Sequence, residues 1–238
     1  RFLGRGFSGV ALEVERLDTK ETTAVKLTRP YDHKRLNQTT FVNKDEAKAT
    51  GMARGMMNEI ASLRALTRDA TGRPLQRQGG EPPFPILLEA QLLRDPSVVS
   101  DDVDMCMAAI VLEQIQGKSL EKILHKDEHL RNQIDRVKKI SLGLVRAIRR
   151  MHNAGVLHLD LTSANVIITD NDDPIILDFG SSQQPKKWAG TKSGKPIQWA
   201  EPLSQRNYTR QYTTRQDQQG QPREANDVYS LGITLRDM

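Results

Sequence analysis

The sequence predicts an α+β fold in two unequal parts, β-rich from residue 1 to about Glu113 and mainly helical beyond it. Three patterns carry this reading. Short β-type runs surround glycines near the start, two longer apolar runs lie at 86–93 and 105–115, and one long amphipathic helix follows at 134–151. A length of 238 residues fits one large domain or two small ones. Leu, Ile, Val and Phe make up about a quarter of the chain, enough apolar surface for a folded core. The single cysteine, Cys106, excludes an internal disulfide and a zinc ribbon or finger. No apolar run reaches the ~18 residues of a membrane span.

Taken in order, Phe2-Leu3, Val10 to Val14 and Thr22 to Leu27 read as antiparallel strands joined by turns. Residues 28–55 are polar and mixed in charge, and read as a long loop or ragged helix. Met56, Ile60, Leu63 and Leu66 then recur at three and four, one apolar stripe of a helix. Residues 67–85, with Gly72, Pro74, Gly79-Gly80 and Pro82-Pro83, are loop by composition. Strands follow at 86–93 and 105–115, separated by a polar link. Ser119 can cap a short helix from Leu120 to Leu124, its hydroxyl accepting from a first-turn N–H. Ile134, Val137, Ile140, Leu144, Ile148 and Met151 form the clearest helical stripe, ended by Asn153-Ala154-Gly155. A hairpin is expected from Val166–Ile168 to Ile175–Leu177 across the acidic turn 170–174. That turn lacks the glycine and terminal glutamate of a calcium loop. Only 228–235 reads as helical after it, and no internal repeat is present.

The net charge of +5 is localised. Residues 181–223 hold eight Lys/Arg against two Asp/Glu, so the rest of the chain is close to neutral. The segment lacks regularly spaced stacking aromatics, so no nucleic-acid partner is expected.

Three clusters carry chemistry. The first is Gly4-Arg5-Gly6-Phe7-Ser8-Gly9, a G-x-G-x-x-G placed between strands rather than before a helix, followed by Ala24-Val25-Lys26. A lysine inside an apolar strand is costly unless an anion meets its ammonium, which suggests a glycine flap over a nucleotide with a lysine beneath. The second is His158-Leu159-Asp160 through Asn165, and the third is Asp178-Phe179-Gly180. In this order, with a β-hairpin between the last two, they resemble the eukaryotic protein kinase catalytic domain.

The resemblance implies a two-lobed protein kinase-like fold: a small lobe over 1–113, a hinge over 114–118 and a large lobe over 119–238. It further implies a fold truncated at both ends, with an early stop in the large lobe's scaffold helix that exposes apolar surface and weakens folding of the fragment. The implied activity is transfer of the γ-phosphate of ATP, with Mg²⁺, to a protein hydroxyl, serine or threonine by default. A pseudokinase serving as a binding module and a small-molecule kinase of similar fold are the alternatives. By resemblance Asp160 accepts the substrate proton, while Asp178 and Asn165 hold Mg²⁺. Lys26 pairs with Glu59, the acidic residue in the stripe with Ile60 and Leu63, although Glu46 is an alternative. The 32 residues between Lys26 and Glu59 imply an insertion near 28–55. Backbone groups of Glu113 and Ile115 bind adenine with Leu112 behind it, and Ala11, Ala24 and Ile167 enclose the ring. Gly4, Gly6, Phe7 and Gly9 cover the phosphates. Leu63, Phe179 and His158 stack as a spine, which makes His158 a packing residue.

Four departures from the family pattern set further expectations. Leu159 stands where many members have an arginine that grips a phosphorylated activation segment, so order independent of that phosphorylation is expected. Thr162 replaces a lysine that reaches the transferred phosphate. Aligning Ser193-Gly194-Lys195-Pro196 with the family's C-G-T-P stretch places Lys195 opposite it, able to supply the missing charge, although Pro196-Ile197-Gln198-Trp199 also resembles a tyrosine-kinase run. Ala200-Glu201-Pro202 stands for A-P-E, and the residues from there to Asp227-Val228-Tyr229-Ser230-Leu231-Gly232 read as an inserted loop with Thr209 and Tyr212 among its exposed hydroxyls. A weaker resemblance is to apicomplexan rhoptry-type kinases, through Phe84-Pro85, Arg94-Asp95-Pro96 and that insertion. The basic 181–223 segment predicts tolerance for acidic protein substrate.

Overall fold

The computed structural model describes residues 1–6, 9–17, 19–35, 43–78, 81–94, 104–126, 130–184, 209–213 and 222–238. Strands β1 (Phe2–Gly6), β2 (Gly9–Glu15) and β3 (Thr22–Leu27) form the expected antiparallel run. The β1–β2 hairpin pairs Gly6 with Gly9 and Gly4 with Ala11. Gly9 sits at φ +149°, and a Cβ there would meet the Leu27 carbonyl oxygen at 2.1 Å, so only glycine fits. The glycine motif therefore lies on a hairpin over a sheet, which rules out the strand-to-helix turn of a dinucleotide fold.

The described residues between 28 and 55 are more regular than their composition suggests. They hold β4 (Tyr31–Asp32), a 3₁₀ turn at His33–Arg35 and the first turns of α1 (Lys44–Thr67). Asn43 caps α1 by accepting from the Glu46 backbone N–H at 2.9 Å. Met52, Ala53, Met56, Glu59, Ser62, Leu63 and Leu66 are all buried, an arc too broad for a narrow apolar stripe. Buried Thr50 and Ala53 in the early turns do not register in a purely hydrophobic reading.

Strands β5 (Leu87–Arg94) and β6 (Met105–Glu113) complete the sheet. β6 is central, pairing with β3 and β4 on one side and β5 on the other. The chain leaves the sheet at Glu113 and re-forms a two-residue strand, β7 (Lys118–Ser119), against β8 (Val166–Ile168). Gly117 permits that approach, because a Cβ would meet the Ile168 carbonyl oxygen at 2.4 Å. Ser119 accepts from the Lys122 N–H and opens α2 (Leu120–Lys126) as expected.

Helix α3 (Ile134–Asn153) buries Ile140, Leu144, Ala147, Ile148 and Met151 and ends at Gly155 with φ +69°. β8 and β9 (Pro174–Ile176) form the predicted hairpin. Helix α4 (Glu224–Asp237) starts four residues earlier than its apolar run, with the Asn226 side chain accepting from the Arg223 N–H at 2.7 Å. Leu142 and Val145 on α3 and Val228 and Tyr229 on α4 stand exposed. No helix among the described residues is long and apolar enough to cross a membrane.

Candidate active site

The two parts meet at a cavity of about 500 Å³, within the size range of small-molecule sites. β1 to β3 bring Gly4, Ala11, Ala24 and Lys26 to it, and the end of β6 and its exit bring Leu112, Glu113 and Ile115. From the other side Asn165, Ile167 and Asp178 complete the lining. Gly9 sits in the hairpin but is not among the described residues lining the cavity, and Phe7 lies outside the described residues.

Lys26 answers the question raised by a charge in an apolar strand. Its ammonium donates to both Glu59 oxygens at 2.6 and 2.8 Å and to Asp178 Oδ1 at 3.2 Å. Burial alone would push this lysine down, but the two carboxylates override it and hold the ammonium well above the ordinary range. Burial pushes the Glu59 carboxyl up despite Lys26. The Asp178 carboxyl is also desolvated, yet Lys26 and the Gly180 N–H keep it below the usual range. Glu59, not Glu46, is therefore the partner.

Glu113 is anchored by a residue the sequence did not single out. Arg77 forks onto both Glu113 oxygens at 2.9 and 2.8 Å and also donates to the Pro82 and Phe84 carbonyls. This fixes the side chain away from the cavity wall formed by its backbone. Gln114 donates to Glu13 Oε2 at 2.6 Å and ties the same stretch to β2.

The loop carrying Asp160 is built around Asp227 of α4, which is fully buried. Its oxygens accept from the His158 N–H at 3.0 Å and the Leu159 N–H at 2.8 Å, and one also meets His152 Nε2 at 2.9 Å. Leu159 is held at φ +66°, a conformation costly for a branched side chain. The Asn165 amide donates to the Asp160 carbonyl at 2.9 Å and ties the two residues together, although of the pair Asn165 alone is among the residues lining the cavity. His158 is buried, its ring 5.0 Å from that of Phe179, which in turn meets Phe84 edge-on at 5.6 Å. Nδ1 of His158 accepts from the Asp160 N–H and Nε2 lies 2.9 Å from the Leu177 carbonyl, so the Nε2–H tautomer satisfies both. Its role is packing and orientation, as expected.

Asp160 itself accepts from the Thr209 N–H at 3.0 Å and from Thr209 Oγ1 at 2.8 Å. Burial raises its carboxyl above the usual range, and the two Thr209 donors oppose that shift. Lys195, expected opposite Thr162, lies outside the described residues. Thr209 and Tyr212 are not exposed hydroxyls of an inserted loop. Tyr212 is buried, within 3.3 Å of Ser163 Oγ, and Ser230 of α4 donates to its carbonyl at 2.9 Å. Ala200-Glu201-Pro202 lies outside the described residues.

A glycine hairpin, a lysine held between a helix glutamate and Asp178, and a buried loop carrying Asp160 beside Asn165 define a two-lobed kinase fold. The chain belongs to the protein kinase domain family, whose model matches residues 91–238, more than half of it. It is 27% identical over 193 residues to a probable serine/threonine-protein kinase of Streptomyces coelicolor, covering 77% of this chain and 26% of that protein. It is 29% identical over 191 residues to the serine/threonine-protein kinase mos of Patiria pectinifera, covering 75% and 49%. Identity to a serine/threonine-protein kinase of Corynebacterium efficiens is 30% over 143 residues, covering 59% and 25%. The chain thus spans at most about half the length of these relatives.

Proposed function

We propose that this domain transfers the γ-phosphate of ATP to a serine or threonine hydroxyl of a protein, with Mg²⁺. The observation that carries the reading is the Lys26 ammonium held between Glu59 and Asp178 inside the cavity that also presents the Glu113–Ile115 backbone. Lys26 is there to orient phosphate oxygens, and Glu59 to hold Lys26. Ala11, Ala24 and Ile167 supply apolar walls for an adenine ring. The Asp178 carboxylate and the Asn165 side-chain oxygen are hard donors in the same lining, which suits Mg²⁺. Bound there, the ion supplies neutralisation of phosphate charge. The substrate hydroxyl oxygen bonds to the γ-phosphorus as the bond to the ADP oxygen breaks, and Asp160 takes the hydroxyl proton.

The serine/threonine assignment is supported by the names of the relatives. The acidic-substrate reading rests on the charge of residues 181–223, and a substrate KM insensitive to salt would remove it. Transfer of labelled γ-phosphate by the full-length protein tests the whole proposal, with Asp178→Ala as control. Nucleotide binding without transfer would instead support the pseudokinase reading, and transfer to a small molecule alone would support the third.

Thr209 gives a finer check. Its N–H and O–H stabilise the ionised form of Asp160, so Thr209→Val raises the carboxyl further. The acid limb of the kcat profile should move to higher pH, while kcat above it, where Asp160 is ionised in both proteins, should stay within a few-fold. A pH–rate profile checks both.

A further inference from the structure

We propose that Ser62 and Ser182 form a clasp that positions the Glu59 helix against the Asp160 loop without a phosphorylated activation segment. The inference rests on the kinase reading of the site. Both serines are buried, at 1% and 0% exposure, and their hydroxyl oxygens lie 2.7 Å apart. Ser182 Oγ is 2.5 Å from the Phe179 carbonyl and donates its proton there, so Ser62 is the donor to Ser182.

The position of the pair gives it leverage. Ser62 lies one turn after Glu59 on α1, and residues three apart share a helix face. Ser182 closes the turn that begins at Asp178-Phe179-Gly180. The next residue, Gln183, exchanges two backbone hydrogen bonds with Leu157, at 2.9 and 2.8 Å. Leu157 is three residues before Asp160. One short chain of contacts therefore runs from the Lys26–Glu59 pair through Ser62, Ser182 and Gln183 to Leu157 and the loop of the proton acceptor. Moving α1 away from the large lobe breaks the Ser62–Ser182 bond and leaves Ser182 Oγ short of a buried partner. Leu159, in place of a phosphate-gripping arginine, makes no charged tie to a phosphate, and the Ser62–Ser182 bond is a neutral tie that acts beside the Lys26–Asp178 contact.

A double-mutant cycle on the full-length protein tests this. Ser62→Ala and Ser182→Ala should each lower kcat about three- to tenfold, with KM for the protein substrate within about twofold. The double variant should lose no more than the worse single one, because all three lack the same bond. Unchanged kcat in both singles, or additive losses, would overturn the clasp. A second readout needs no phosphotransfer. In Ser62→Ala, amide hydrogen exchange should accelerate at Leu157 and Gln183, across the cleft from the substitution. Acceleration confined to α1, or spread evenly with a lowered Tm, marks a merely structural serine and overturns the proposal even where the kinase reading stands. Cross-cleft acceleration in a protein without transfer activity upholds the clasp and sinks the kinase reading instead.

Discussion

Asp160→Asn should lower the turnover of phosphotransfer by roughly 10²- to 10⁴-fold, the range supplied by a positioned general base. The substitution is nearly isosteric. The amide oxygen can still accept from the Thr209 N–H and hydroxyl, and the Asn165 amide still meets the residue-160 carbonyl. Only the ability to take a proton disappears. Melting temperature and nucleotide affinity should therefore stay close to those of the parent protein, while initial rates of γ-phosphate transfer collapse. The burial that raises the Asp160 carboxyl makes it a better proton acceptor than an exposed aspartate. A variant retaining most of its turnover would show that proton removal is not done by this side chain.

The largest effect on stability is expected at Asp227, not in the cleft itself. Asp227→Ala deprives the buried His158 and Leu159 N–H groups of their acceptor and removes the partner of His152. Each orphaned buried donor costs about 1–3 kcal/mol, so the pair should cost about 3–4 kcal/mol. At about 2–4 °C per kcal/mol for a chain of this size, that lowers Tm by roughly 6–16 °C, readable by calorimetry. Leu159 is held in the left-handed region by one of these bonds, and its release should let the Asp160 loop relax and turnover fall with it. Asp227→Asn keeps one acceptor oxygen and should lose clearly less. Equal losses for the two variants would mean that the oxygen kept by the amide contributes little.

Much of this was readable in advance, for physical reasons that differ from element to element. α3 was legible because one wet and one dry side impose a 3.6-residue period on Ile140, Leu144, Ile148 and Met151. The first turns of α1 were not, because that helix is covered on a wide arc and buries small and polar residues such as Ala53, Ser62 and Glu59. The pairing of Lys26 with Glu59 followed from the cost of a lone charge in a strand. Arg77 gave no comparable signal: it sits in a polar loop and becomes meaningful only when folding brings it 36 positions along the chain to Glu113. Thr209 was misplaced for a related reason. One hydroxyl in a stretch of Gln, Arg and Thr has no local pattern to mark it, and its partner lies 49 residues away.

The span of these bonds has a consequence for how the protein comes into being. Lys26 waits for Asp178, 152 positions later, and the His158 and Leu159 amides wait for Asp227, 69 and 68 positions later. As the chain emerges during synthesis, Lys26, Glu59, Asp160, Asn165 and Asp178 are all made when Asp178 appears, yet the loop holding Asp160 still lacks its acceptor. Closing such long loops carries an entropic cost before any contact repays it, so assembly of the site belongs late in folding. A nascent chain ending before Asp227 carries the motifs without the acceptor that holds the Asp160 loop, which arrives with the docking of α4.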